Sequence, residues 1–138
     1  MKFRLAAMAA LVAMALSPVP AGAAEKLGPY GEDPLDRGVG FPMLQGGQSI
    51  FTGLCQGCHM PDAKGAVGAG MYPALAKDDK LETAGYPVAV VTHGQKAMPA
   101  FGPLLNDQQI ADVVNYVRSN FGNKYKDKVS PAVVKAQR

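Results

Sequence analysis

The sequence predicts an all-α fold of three to five short helices, and three stretches carry that expectation. Ile110, Val113, Val114 and Val117 repeat at the i, i+3, i+4, i+7 spacing of one buried helical face. Ile50, Phe51 and Leu54 share that spacing earlier in the chain. Between them, Pro87 suits a first helical turn, Val88, Val90 and Val91 follow, and Gly94 supplies a stop.

The 138 residues suit one globular domain, but the first stretch is not expected to belong to it. Met1-Lys2-Phe3-Arg4 is a short basic segment, Leu5 to Leu16 is apolar, and Ser17-Pro18-Val19-Pro20 breaks any helix. Ala21-Gly22-Ala23 then offers the small residues a signal peptidase prefers, so residues 1–23 read as a signal peptide. The apolar run is shorter than the ~20 residues that span a bilayer, which disfavours an uncleaved anchor. No later run is long enough to cross a membrane after signal cleavage. A periplasmic location follows as the expectation. Cleavage would remove Lys2 and Arg4 from the 14 basic residues, leaving 12 against 11 acidic ones and a charge of about +1. That balance, with no basic stripe interleaved with aromatics, argues against nucleic-acid binding.

Residues 24–45 form an irregular arm containing Gly28, Pro29, Gly31, Pro34, Gly38, Gly40 and Pro42. It is mildly acidic through Glu25, Glu32, Asp33 and Asp36. The domain is expected over 46–122. Its first helix runs from Gly46 or Gly47 to Gln56, and a loop dense in Gly and small residues covers Met60 to Tyr72. A short helical segment is expected over Leu75 to Lys80 and another from Pro87 to Gly94. The last helix opens with Asn106 as N-cap, Gln109 completing a capping box and Asp107 at the positive helix end, and Gly122 marks its stop. The basic tail 123–138, with Lys124, Lys126, Lys128, Lys135 and Arg138, is expected to be loosely ordered.

The chemistry concentrates in Cys55-Gln56-Gly57-Cys58-His59. Offsets of three and four residues bring both sulfurs and the imidazole to one side of a helical turn. Two thioether links to a porphyrin need thiols a set distance apart, and a histidine directly after the second can reach the iron. The string is a c-type haem attachment signal. Other uses compete for it. Zinc needs a fourth ligand, and only His93 remains. A thioredoxin-like pair wants a strand–helix context, whereas a Gly-rich loop follows here. A disulfide leaves the adjacent histidine unexplained. Covalent haem also answers how so small a domain obtains a core.

A second axial ligand must come from elsewhere. Met98 stands in Lys96-Ala97-Met98-Pro99-Ala100-Phe101-Gly102, a Pro/Gly-bounded loop before the last helix. A thioether favours ferrous iron, so a His/Met pair raises the reduction potential. Met98 packing against the cofactor without ligating it is the plainer alternative, and Met43, Met60, Met71 and His93 are rivals. His93 reads more readily as an exposed residue at a helix C-terminus.

From Gly46 to about Phe121 the chain resembles class I cytochromes c of the short soluble bacterial type. The resemblance rests on Cys55 to His59, on Met98-Pro99-Ala100-Phe101, and on Leu105 to Val117 in that order. It implies short helices wrapped around one haem c, with iron held by His59 and Met98. It also implies that Gly47 and Phe51 pack against Tyr116, and that Pro73 and Leu75 lie beside the haem. The Pro73 carbonyl would then accept a hydrogen bond from His59 Nδ1 and orient the ring.

The function so implied is single-electron transport without catalysis. The donor would be a periplasmic dehydrogenase, of quinoprotein or molybdenum type, and the acceptor a cytochrome or terminal oxidase. Docking is expected on an uncharged rim formed by Ala66–Tyr72 and Met98–Phe101. Two other readings stand beside it: a fixed haem subunit of a larger dehydrogenase or oxidase, and a haem enzyme with an open sixth position.

Overall fold

Two helices cross where Gly47 leaves room for a backbone, and the other elements pack around that crossing. The computed structural model describes residues 41–68 and 71–138. The expected signal peptide, the arm up to residue 40, and Ala69 and Gly70 of the docking rim lie outside the described residues.

The first helix is expected to end at Gln56 but continues through His59. It comprises α1 (Gly47–Ile50), a π-helical turn (Phe51–Cys55) and α2 (Gln56–His59). The wide turn closes through the Gln56 N–H on the Phe51 carbonyl, a geometry that inserts one residue into the α register. Ile50 and Phe51 face the core.

The loop after it holds a two-stranded antiparallel hairpin, β1 (Ala66–Val67) and β2 (Met71–Tyr72), pairing Ala66 with Tyr72 and Val67 with Met71. Among the described residues the otherwise helical fold thus carries one small strand pair that the sequence did not announce. The segment expected over 75–80 is instead a 3₁₀ turn, Asp79–Leu81, capped by the Asp78 carboxylate on the Lys80 N–H at 3.1 Å. α3 (Gly85–His93) starts two residues before Pro87 and ends on Gly94 at φ 75°, a backbone conformation that suits glycine.

α4 (Asp107–Ser119) has the expected capping box. Asn106 Oδ1 accepts from the Gln109 N–H at 2.8 Å, and Gln109 Oε1 accepts from the Asn106 N–H at 3.0 Å. Gln109 also donates to the carbonyls of Phe41 and Leu44 at 2.9 and 3.0 Å, tying the start of the described chain to α4. Ile110, Val113, Val114 and Val117 are buried. The helix stops before Gly122, at Asn120, whose amide donates to the Tyr116 carbonyl, and Phe121 turns into the left-handed region.

That turn sends Phe121 back onto the helix crossing. A Cβ on Gly47 would lie 2.4 Å from Tyr116 Cβ and nearer still to the Asp112 carbonyl oxygen, so only glycine permits this approach of α1 to α4. Phe51, Tyr116 and Phe121 then stack as a trio with ring centroids 4.8 to 5.8 Å apart, within the range favourable for aromatic pairs.

Residues beyond Gly122 are not loosely ordered. α5 (Pro131–Lys135) packs on α4, and Val129 and Val134 are buried in the same core. Asn115 brackets Val129, donating to its carbonyl and accepting from its N–H. Arg118, 1% exposed, donates to the carbonyls of Leu81 and Glu82 and to the backbone and carboxylate of Asp127. A buried guanidinium is tolerated because so many acceptors surround it. The sequence hid this packing, since two inward valines make too short a pattern to show a period. Among the described residues no helix is long and apolar enough to cross a membrane.

Candidate functional site

The site is built where α2 ends. Helical geometry places His59 on the inner side of the last turn, 7% exposed, while Cys55 is half-buried and Cys58 exposed. Both thiols are free. Burial, together with the neighbouring Cys58, pushes the Cys55 thiol up to about 11, so it remains neutral at pH 7, the form that tolerates an apolar setting.

The chain after His59 turns sharply, with Met60 at φ 66° and Ala63 at φ 56°. It folds back so that the Gly65 N–H reaches the His59 carbonyl at 3.0 Å, and Leu75 and Ala76 both donate to the Ala63 carbonyl. Gly65 is the point of closest crossing: a Cβ there would lie 2.7 Å from the carbonyl carbon of Pro73. This crossing brings Pro73 to the histidine. His59 Nδ1 donates to the Pro73 carbonyl oxygen at 2.9 Å. A carbonyl only accepts, so Nδ1 carries a proton, and in the neutral ring the lone pair is then on Nε2. Leu75 is half-buried against the core cluster.

Met98 is half-buried in the loop between α3 and α4. Gln95 and Met98 exchange backbone hydrogen bonds of 3.0 and 2.9 Å, with Lys96 left-handed between them. Gly94 is needed at the loop's entry, because a Cβ there would lie 2.7 Å from the Met98 carbonyl oxygen. The Phe101 and Gly102 N–H groups return to the Val91 and Thr92 carbonyls of α3.

The rival ligands are placed otherwise. Met43 is 90% exposed and Met71 80% exposed. Met60 is half-buried in the left-handed turn after α2. His93 is exposed at the end of α3, and its Nε2 donates to the Gln137 carbonyl at 2.6 Å.

These residues fit a tethered haem. Two unpaired thiols flank one turn, and the adjacent imidazole has one nitrogen committed to a carbonyl and the other available as a donor. The Met98 thioether, in a braced loop, has the soft donor chemistry that a second ligand needs. A bare metal ion fits less well. Among the described residues no three His, Cys, Asp or Glu side chains gather into a ligand set. A groove of about 840 Å³ between α4 and residues 123–129, lined by Tyr116, Asn115 and Lys126 among others, contains no Cys, His or Met and is separate from this site.

Sequence reasoning missed Gly65. Nothing in a loop rich in glycine distinguishes the one that crosses Pro73 from the others.

Comparison with known proteins identifies a family. Residues 42–117 match the family model described as cytochrome c oxidase, cbb3-type, subunit III. The chain is 40% identical over 81 residues to cytochrome c6 of Bumilleriopsis filiformis, covering 55% of this chain and 90% of that protein. It is 39% identical over 83 residues to cytochrome c6 of Diacronema lutheri, covering 57% and 98%. It is also 35% identical over 92 residues to the fructose dehydrogenase cytochrome subunit of Gluconobacter japonicus, covering 56% of this chain but 19% of that subunit. The chain therefore spans nearly the whole of the cytochromes c6 and about a fifth of the dehydrogenase subunit.

Proposed function

The chain belongs to the cytochrome c family as a small class I c-type cytochrome carrying covalent haem c, and from that membership we infer that it is a periplasmic carrier of single electrons between a dehydrogenase and a downstream cytochrome or oxidase. The haem supplies the one-electron iron couple. The rest of the work belongs to the protein's own residues. Cys55 and Cys58 would hold the macrocycle covalently, and His59 Nε2 and Met98 Sδ would be the protein's two donors to its iron. An iron held by both of these donors would have no coordination site left for a substrate. Electron transfer rather than catalysis is the activity this supports.

The observation that carries the ligand assignment is the His59–Pro73 hydrogen bond. Donation from Nδ1 fixes the ring's orientation and makes Nε2 the more basic donor. Leu75, packed on the core two residues after Pro73, keeps that segment in place. Met98 then biases the couple toward ferrous iron.

Two kinds of partner are consistent with the relatives. Cytochrome c6 of Bumilleriopsis filiformis is matched over 90% of its length, which favours a free carrier. The relatives named as cytochrome subunits of fructose, gluconate and quinone alcohol dehydrogenases are matched over about a fifth of theirs. They support a dehydrogenase as donor, and they also support a second reading in which the chain is a fixed subunit. The uncharged rim of Ala66–Val67, Met71–Tyr72 and Met98–Phe101 would face the partner in either case. Val67 and Met71 are strongly exposed there, and transient redox interfaces are small, often below ~1,200 Å².

The test is spectroscopic. Ferric protein from periplasmic extract should show the sulfur-to-iron charge-transfer band and low-spin iron. Met98→Ala should abolish the band, lower the potential and admit small ligands. An unaltered spectrum in that variant would move the axial role to another residue, and high-spin iron in the wild type would favour an open-site haem enzyme. Gel filtration of native material separates free carrier from subunit.

A further inference from the structure

The loop that carries Met98 is held from outside by residues 137 and 138. Arg138 Nη1 donates to the Gly102 carbonyl and Nη2 to the Leu105 carbonyl, each at 2.7 Å, and Nε donates to the Asp107 carboxylate. Its neighbour Gln137 accepts from His93 Nε2 at 2.6 Å. These two residues therefore touch the last residue of α3, the exit of the Met98 loop and the first turn of α4. The loop is slung between those two helices. The Arg138 and Asp107 side chains are 28% and 18% exposed, so the charge-assisted bonds are partly shielded from water.

We propose that Arg138 is a positioning residue for Met98, clamping the loop exit against α4 so that the thioether stays on the iron. This rests on the reading of Met98 as axial ligand. For Met98 to withdraw, the 94–102 loop has to swing outward, carrying the Gly102 carbonyl with it. The guanidinium fork opposes that swing through three bonds to one rigid group, one of them on the loop itself. The hydrogen bonds of Phe101 and Gly102 to α3 hold the loop's inner side, and Arg138 holds the side toward α4. Arg138 and Gln137 lie outside residues 42–117, the part matched by the family model, whereas the groups they hold lie within it.

Imidazole is the probe, because it binds ferric iron only when Met98 has left. Its apparent affinity then scales with the fraction of molecules whose loop is open. Arg138→Ala in the haem-loaded protein is expected to tighten imidazole binding roughly tenfold, equivalent to about 1.4 kcal/mol. Arg138→Lys should fall between, since an ammonium cannot make the fork. His93→Ala, which severs the Gln137 contact, should shift affinity in the same direction and serves if Arg138→Ala does not accumulate. Asp127→Asn, which weakens a contact of the same segment away from the loop, should lower the denaturation midpoint while leaving imidazole affinity unchanged. Wild-type affinity in Arg138→Ala, or in His93→Ala where Arg138→Ala does not accumulate, would overturn the clamp. So would an equal rise in Asp127→Asn, which would indicate general loosening. Failure of the Met98 reading shows separately, as a wild-type ferric spectrum without the sulfur-to-iron band.

Discussion

His59 Nδ1 donates to the carbonyl of Pro73, fourteen residues further along the chain, at 2.9 Å. The bond sets which nitrogen of the ring is free and how the ring is turned. It exists because Gly65 lets the intervening loop cross Pro73 without a side chain between them. A carbonyl acceptor raises the donor strength of the opposite nitrogen, which stabilises ferric iron. Pro73→Ala keeps the carbonyl but relaxes the backbone that aims it. The expected result is intact covalent attachment with a raised reduction potential, read by redox titration. An unchanged or lowered potential would contradict the role given to this bond.

Gly47→Ala tests the helix crossing. The added carbon has to displace the backbone of α4 at Asp112 or the stem of Tyr116. Overpacking of this kind costs about 1–3 kcal/mol, measured as a lower guanidinium midpoint. The visible spectrum should stay that of the wild type, because neither His59 nor Met98 sits on the crossing.

Gln109→Ala should cost more than Asn106→Ala. Asn106→Ala removes an N-cap, worth about 1 kcal/mol. Gln109 is 2% exposed and serves the Asn106 N–H together with the Phe41 and Leu44 carbonyls. Its loss removes the bonds of the Asn106 N–H and the Leu44 carbonyl, while the Phe41 carbonyl keeps the Leu44 N–H, at about 1–3 kcal/mol for a buried polar group left unpaired. Chemical denaturation of both variants gives the order, and the reverse order would show that the link to Phe41 contributes little.

Acid should release the segment after α4 through Asp127. The Arg118 guanidinium hydrogen-bonded to Asp127 holds its carboxyl below the usual range. A carboxyl whose pKa is lower folded than unfolded contributes stability that is complete above the unfolded value, ~3.9. The contribution is lost as pH falls through the folded value. The wild type should therefore exceed Asp127→Asn in stability at neutral pH, and the two should converge on acidification below about pH 4. A gap that stays constant down to pH 2 would assign the difference to something other than this ionisation.

The readings that survived from sequence to structure are those in which the signal is local. The Asn106–Gln109 box and the apolar face of α4 lie within a few residues of each other, so spacing alone expresses them. The stop of α3 at Gly94 is of the same kind. Most of what failed depended on distant partners. The helix end placed at Gln56 lies at His59, beyond a local π turn that spacing did not express. The Leu75–Lys80 helix became a 3₁₀ turn because Asn123 draws this segment onto α4, its amide donating to the Leu75 carbonyl and its carbonyl oxygen accepting from the Asp78 N–H. The tail packs because Asn115 and Arg118 offer bonds to it, and neither side chain marks itself in sequence as anything but polar.

By itself, the order of residues determined the attachment chemistry, since two thiols and an imidazole in five positions are neighbours in any helical turn. It also determined which methionine stands in a braced loop before the last helix. Only the tertiary structure decided how His59 is turned, which glycines are indispensable, and that residues 137 and 138 lie on the loop of Met98. The reason is one of range. Covalent spacing governs groups within a turn of each other, whereas an acceptor fourteen residues away, or a guanidinium 36 residues from the carbonyl it binds, is brought near only when the core closes.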